Sequence, residues 1–151
     1  MQQTGVPRAA MVLGLAGLLP AAAAVLIELD GDPARLFSAE ALAFAYAALI
    51  FSFLGGIWWG LAARIDPAPD WLYGAAVAPS LIALATAAPW AVGARWPGPS
   101  LIVLGVFILA SLLVDRLLVA RGIAPPWWMQ LRTPLSVGLG GLTLIAGFAA
   151  L

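Results

Sequence analysis

Asp115 is the ionisable residue whose position most invites chemistry. It ends the apolar run Leu101–Val114 and is followed by Arg116 and then Leu117–Ala120, so hydrophobic chain lies on both sides of it. A carboxylate at the centre of a bilayer costs around 2.5–3.5 kcal/mol on insertion scales, and less toward the headgroups. Such a group either pairs with a cation or serves as a proton or ligand site. Arg64 and Arg132 are the cations expected on the same side of the membrane, and a structural ion pair with one of them is the expectation. Arg116 has a stem long enough to snorkel to the headgroups instead.

Little else in the chain offers reactive side chains. Cysteine and histidine are both absent. Disulfides, thiolate nucleophiles and CxxC redox pairs are therefore excluded, together with the usual haem and copper ligands and the side chain that best moves protons near neutral pH. No serine has a histidine base, and no glycine-rich phosphate loop follows a strand. Asp30-Gly31-Asp32 begins like a calcium loop but lacks the remaining ligand spacing. Glu28, Asp30, Asp32 and Glu40 are expected to form a solvated acidic loop. No catalytic residue, metal or cofactor is implied.

Two further patterns bear on packing and binding. Ala48, Ser52, Gly56 and Gly60 recur every four residues and form a small-residue stripe on one helix face. Helices in lipid associate through close backbone contact, which such stripes permit, so a packing face inside the bundle is expected. An exposed dimerisation face and a ligand groove are the alternatives. The pairs Trp58-Trp59 and Trp127-Trp128 could stack on a planar ligand, but anchoring at headgroup level accounts for them without one. Trp58, Trp59, Trp71, Trp127 and Trp128 are assigned to one membrane interface and Trp90 and Trp96 to the other.

The elements that must carry these residues are membrane spans. Of the 151 residues 64% are hydrophobic and 9% charged, and the mean hydropathy is +1.04. Water-soluble domains carry about 25% charged residues, so most of this surface must face lipid. A hydrocarbon core of about 30 Å takes around 20 helical residues. Apolar stretches of about that length cover residues 9–27, 41–63, 71–94, 98–120 and 133–151, and none alternates as a barrel strand would. The expected fold is a single all-α membrane domain over residues 1–151, a bundle of about five transmembrane helices. Ser38 with Glu40 suits the start of the second helix, and Asp70 suits the cap of the third. Thr133-Pro134 reads as the N-cap and first residue of the last span, which leaves Pro126–Arg132 as a short interfacial segment before it. The alternative is one longer helix kinked at Pro134. Arg8, an apolar run and Ala21-Ala22-Ala23 resemble a secretory signal, but apolar character continues through Ile27, so retention as an anchor is expected.

Tyr46-Ala-Ala-Leu-Ile-Phe-Ser-Phe-Leu-Gly-Gly-Ile-Trp-Trp-Gly60 resembles a family of small uncharacterised membrane proteins of proteobacteria related to mitochondrial transmembrane protein 69. Leu13-Gly-Leu-Ala-Gly-Leu-Leu-Pro20, Val77-Ala-Pro-Ser80, Asp115-Arg116 and the Trp128-to-Arg132 segment resemble it too, so the likeness spans nearly the whole chain. It implies a multi-helix domain of unknown function and supplies no catalytic residue. Members of that family often carry histidine where Trp58 stands here, so no proton-transfer role carries over to that position.

Three functions are compatible with these residues, and the first is the one expected. The first is a non-catalytic accessory or assembly factor that binds another membrane complex, or a second copy of itself, through small-residue helix faces. The second is a binder or carrier of a lipophilic ligand such as a quinone or lipid. The third is a small transporter or channel, for which the single intramembrane acid and the lack of an inverted repeat give least support. The bilayer is the one partner composition implies; with zero net charge and no basic block, nucleic acid is not expected. The expected location is the bacterial inner membrane. Arg8, Arg64, Arg116, Arg121 and Arg132 lie on one side and Arg35 and Arg95 on the other, which orients the N-terminus to the cytoplasm and the C-terminus to the periplasm. A reporter fused after Leu151 is therefore expected to read as extracytoplasmic; a cytoplasmic signal would refute the count of spans or their orientation.

Overall fold

The computed structural model describes residues 5–151, and among them every regular element is helical. The order is α1 (Arg8–Ala16), α2 (Leu19–Asp30), α3 (Pro33–Ala62), α4 (Asp70–Ala91), α5 (Gly98–Ala120) and α6 (Trp128–Ala149). Helices α1 and α2 together form the first of five segments long and apolar enough to cross a membrane, and α3 to α6 supply the other four. Short connections make sequence neighbours antiparallel, so α2 packs on α3, α3 on α4, and α5 on α6.

The first span is broken in its middle, just ahead of Pro20. Pro20 has no N–H to give to the carbonyl one turn earlier, and its ring crowds that turn. The chain answers with a tighter turn, in which the Gly17 N–H approaches the Gly14 carbonyl at 3.1 Å and the Leu18 N–H the Leu15 carbonyl at 3.0 Å. Tyr46 of α3 donates its hydroxyl to the Gly17 carbonyl, so a neighbouring helix satisfies a backbone acceptor at the break.

Several expected boundaries move. The second span starts at Pro33, ahead of Ser38 and Glu40, because Asp32 is its N-cap: the side chain accepts the Ala34 N–H at 3.0 Å and pairs with Arg35 at 2.8 Å. Gly31 closes α2 at φ +73°, a left-handed conformation that glycine adopts without penalty. The Asp-Gly-Asp sequence is thus a helical hairpin turn. At 1.5 Å per residue, α3 is roughly 45 Å long, more than a bilayer core needs. Asp70 is the first residue of α4, following Pro69 at the cap position. Thr133 caps nothing: α6 begins at Trp128 and runs through Pro134, so Trp128–Arg132 belongs to the last helix and the connecting segment before it is shorter than expected.

The small-residue stripe is also relocated. Gly56 and Gly60 are exposed, with open space where a side chain would point, while Ala48 and Ser52 are half-buried. The close approach occurs one residue earlier, at Gly55, where a Cβ would lie 2.3 Å from the Ala76 carbonyl oxygen of α4 and 3.3 Å from Pro79. A shift of one residue rotates a helix by about 100°, so Gly55 and Gly56 face different surroundings. The α5–α6 contact is built the same way: Gly105 and Gly140 lie opposite each other, and a Cβ on either would approach the other's carbonyl at 3.1 or 3.2 Å. Gly138 lies beneath Leu18, and Gly141 meets nothing.

Gly55→Ala is therefore expected to lower the stability of the detergent-solubilised protein by about 1–3 kcal/mol, the range for an overpacked contact. Gly56→Leu should leave the melting temperature nearly unchanged. Equal losses, read by thermal unfolding, would contradict the placement of the α3–α4 contact.

Candidate functional site

Asp115 stands in the last turns of α5 with no accessible surface. Its Oδ1 accepts two indole N–H groups, from Trp58 of α3 at 3.0 Å and from Trp128 of α6 at 2.8 Å. Its Oδ2 accepts the Nε–H of Arg132, also on α6, at 2.8 Å. Arg132 in turn donates from Nη2 to the Ser136 hydroxyl oxygen at 2.8 Å, one turn along the same helix. Three donors converge on one carboxylate, one of them cationic, and such charge-assisted bonds are roughly twice as strong as neutral ones.

Each partner is positioned by ordinary helix geometry. Trp128, Arg132 and Ser136 are spaced four apart and share a face of α6. Trp58 falls on the buried face of α3 with Phe51, Leu54 and Ala62. Of the two arginines considered for Asp115, Arg132 makes the contact. Arg64 is exposed in the α3–α4 connection and forms no ion pair among the described residues.

The tryptophans divide into two kinds. Trp58 is 3% exposed and Trp128 is 9% exposed, so neither is a headgroup anchor; both are ligands of the buried carboxylate. Nothing in their dipeptide pattern distinguishes them from their neighbours, and only an acceptor brought from α5 does so. Trp59 and Trp90 are exposed as anchors would be, with Trp59 packed edge-on to Tyr73. Trp127 is half-buried and leans on Trp128. Trp71 lies under the Arg121 guanidinium, whose carbon is 4.9 Å from the ring centroid. At the opposite end Trp96 packs against Phe37, Phe44 and Trp90. The acidic group there is not uniformly solvated: Asp30 is exposed, but Glu28 is buried, and neither of its carboxylate oxygens has a hydrogen-bond partner among the described residues.

Beside the Asp115 cluster lies a cavity of about 410 Å³. Leu13 and Leu18 from the first span, Ile50 and Ile57 from α3, and Leu135 and Leu139 from α6 form its walls. Arg132 and Ser136 enter one side and Trp128 borders it, giving a mainly apolar chamber with a localised polar pole. Helix α1, which lines the chamber through Ala10, Leu13 and Gly14, contributes no buried residue. Leu13 and Phe53, which also line it, are 72% and 65% exposed, so the chamber reaches the lipid-facing surface.

Residues 6–149 match the model of a family described as a protein of unknown function (DUF3429). The chain belongs to that family. No curated protein matches it, and no solved structure does. The match covers both the first span and α6, so the cavity and all four members of the Asp115 cluster fall inside the family domain.

Replacing one partner of a buried ion pair typically costs 3–5 kcal/mol, because the other charge stays behind unpaired. Asp115→Asn is expected to destabilise the protein by an amount on that order. Asp30→Asn, at an exposed position, should change little. Thermal unfolding of the two variants in one detergent checks this; equal stability would mean that Asp115 does not hold the bundle together.

Proposed function

We propose that this protein is an integral membrane binding protein for a lipophilic molecule with a single polar head. The observation that carries the reading is the chamber between the first span, α3 and α6. Its volume of about 410 Å³ falls in the range of small-molecule sites, which are mainly apolar with a few placed polar groups. Exposed Leu13 and Phe53 at its edge offer entry directly from the bilayer, so a ligand need not cross water. This reading needs no reactive side chain, in keeping with a chain that has neither histidine nor cysteine.

A second reading, an accessory or assembly factor for a membrane complex, draws on a different surface. Gly56 and Gly60 lie exposed on α3 with open space above them, beside exposed Trp59, and such a face admits the backbone of a partner helix. Placement in a bacterial inner membrane with the N-terminus in the cytoplasm belongs to the same proposal and rests on the arginine distribution. Kinship with mitochondrial transmembrane protein 69 rests on the residues from Tyr46 to Gly60.

Protein purified in mild detergent is expected to carry a lipophile at near-stoichiometric occupancy, detected by native mass spectrometry. Ile50→Trp combined with Ile57→Trp, which adds bulk to the chamber wall of α3, should abolish that occupancy while the protein still folds. Full occupancy in this variant would refute the chamber as the site. An assembly defect of a membrane complex on gene deletion, with wild-type protein free of ligand, would favour the second reading. Solute movement across liposomes would favour transport.

A further inference from the structure

We propose that the chamber selects an uncharged amphiphile whose head is a hydrogen-bond acceptor, a quinone or ester carbonyl oxygen received by Arg132, whose guanidinium Ser136 holds in place. This rests on the preceding reading that the chamber takes a lipophile, and it specifies the head.

The inference follows from counting donors and acceptors at the polar pole. A guanidinium carries five N–H groups in a planar fork and no acceptor. In Arg132 the Nε–H is taken by Asp115 and one Nη2–H by Ser136. The second Nη2–H and both Nη1–H groups have no acceptor among the described residues, although the side chain is only 11% exposed and borders the chamber. The Ser136 hydroxyl accepts from Arg132 and is itself buried, so it positions the guanidinium and does not meet the ligand. Asp115 cannot complement a donor on the ligand: it has no accessible surface, and its oxygens already hold two indoles and the guanidinium. The groups that the pole leaves to the chamber are thus the spare N–H donors of Arg132, and a ligand that fits must bring an acceptor.

Charge narrows the class further. Asp115 and Arg132 are paired at 2.8 Å and cancel. A fatty-acid carboxylate or a phosphate would add a negative charge close to Asp115, and no second cation lines the chamber among the described residues to balance it, in surroundings where charges are weakly screened. A cationic head would meet the guanidinium. A neutral carbonyl accepts the spare N–H groups without disturbing the pair, and its apolar tail follows Ile50, Leu135 and Leu139. Prenylated quinones and diacylglycerols both present this chemistry.

The test measures competitive binding to the purified full-length protein with four probes: decyl-ubiquinone, dioctanoylglycerol, oleate at about pH 8, where its carboxyl is ionised, and dodecane. At least one of the two neutral carbonyl probes is expected to bind about tenfold or more tightly than oleate and dodecane. Which of the two does so identifies the quinone or the glyceride as the source. Arg132→Lys keeps the cation for Asp115 but removes the fork, and should weaken that probe by about tenfold. Ser136→Ala, which leaves the ion pair in place, should weaken it by a smaller factor and carries the test if Arg132→Lys does not fold. Oleate or dodecane binding as tightly as the carbonyl probes would overturn the head-group assignment and leave the chamber a lipophile site. So would unchanged carbonyl affinity in every variant that folds. Failure of all four probes to bind would overturn the binding reading itself.

Discussion

The buried carboxylate of Asp115 is the constraint around which this bundle is arranged. An unpaired charge at that depth would be costly, and lipid offers it no hydrogen bond. The fold meets the demand with donors from two other helices, Trp58 on α3 and both Trp128 and Arg132 on α6. Because bonds of this kind have a length and a direction, the cluster sets the rotation of each helix about its axis. Apolar packing alone does this poorly in a membrane, where leucine gains nothing by leaving lipid for another leucine.

Once those rotations are set, the remaining contacts divide by how closely backbones can approach. At Gly55 against Ala76, and at Gly105 against Gly140, the absence of a side chain lets helices touch through their main chains. Those seams are close. The first span meets α6 through side chains instead, Leu18 over Gly138 and Leu135 against Gly14, and proline breaks it next to α1, which buries none of its residues. The chamber lies along that span, and its polar pole is the part of the Asp115 cluster that the cluster itself leaves unused.

This arrangement links stability to binding. Arg132 neutralises Asp115 through its Nε–H, borders the chamber, and keeps N–H groups that no described residue accepts. The cation that makes the buried acid tolerable is thereby also the group available to a ligand. A lysine offers a point charge without the planar fork, so it would serve the first purpose better than the second.

The number of spans and the helical class were legible in the sequence, because bilayer thickness and backbone hydrogen bonding demand apolar helices of about 20 residues. The need of Asp115 for a cation was legible for the same kind of reason, a large local cost that any fold must meet. Its choice of Arg132 over Arg64, and the recruitment of two indoles, depended on which faces of α3, α5 and α6 meet. One-residue differences decide that, and hydropathy does not record them. The same ambiguity put the close packing at Gly56, when Gly55 makes the contact, since both neighbours fit a small-residue pattern and only the position of α4 distinguishes them. Trp58 and Trp128 read as interface anchors for a related reason: an indole beside a membrane boundary looks alike in sequence whether its N–H meets water or a buried carboxylate. The chamber was not legible at all. A cavity is where side chains from distant segments fail to meet, and that is a property of their packing in three dimensions.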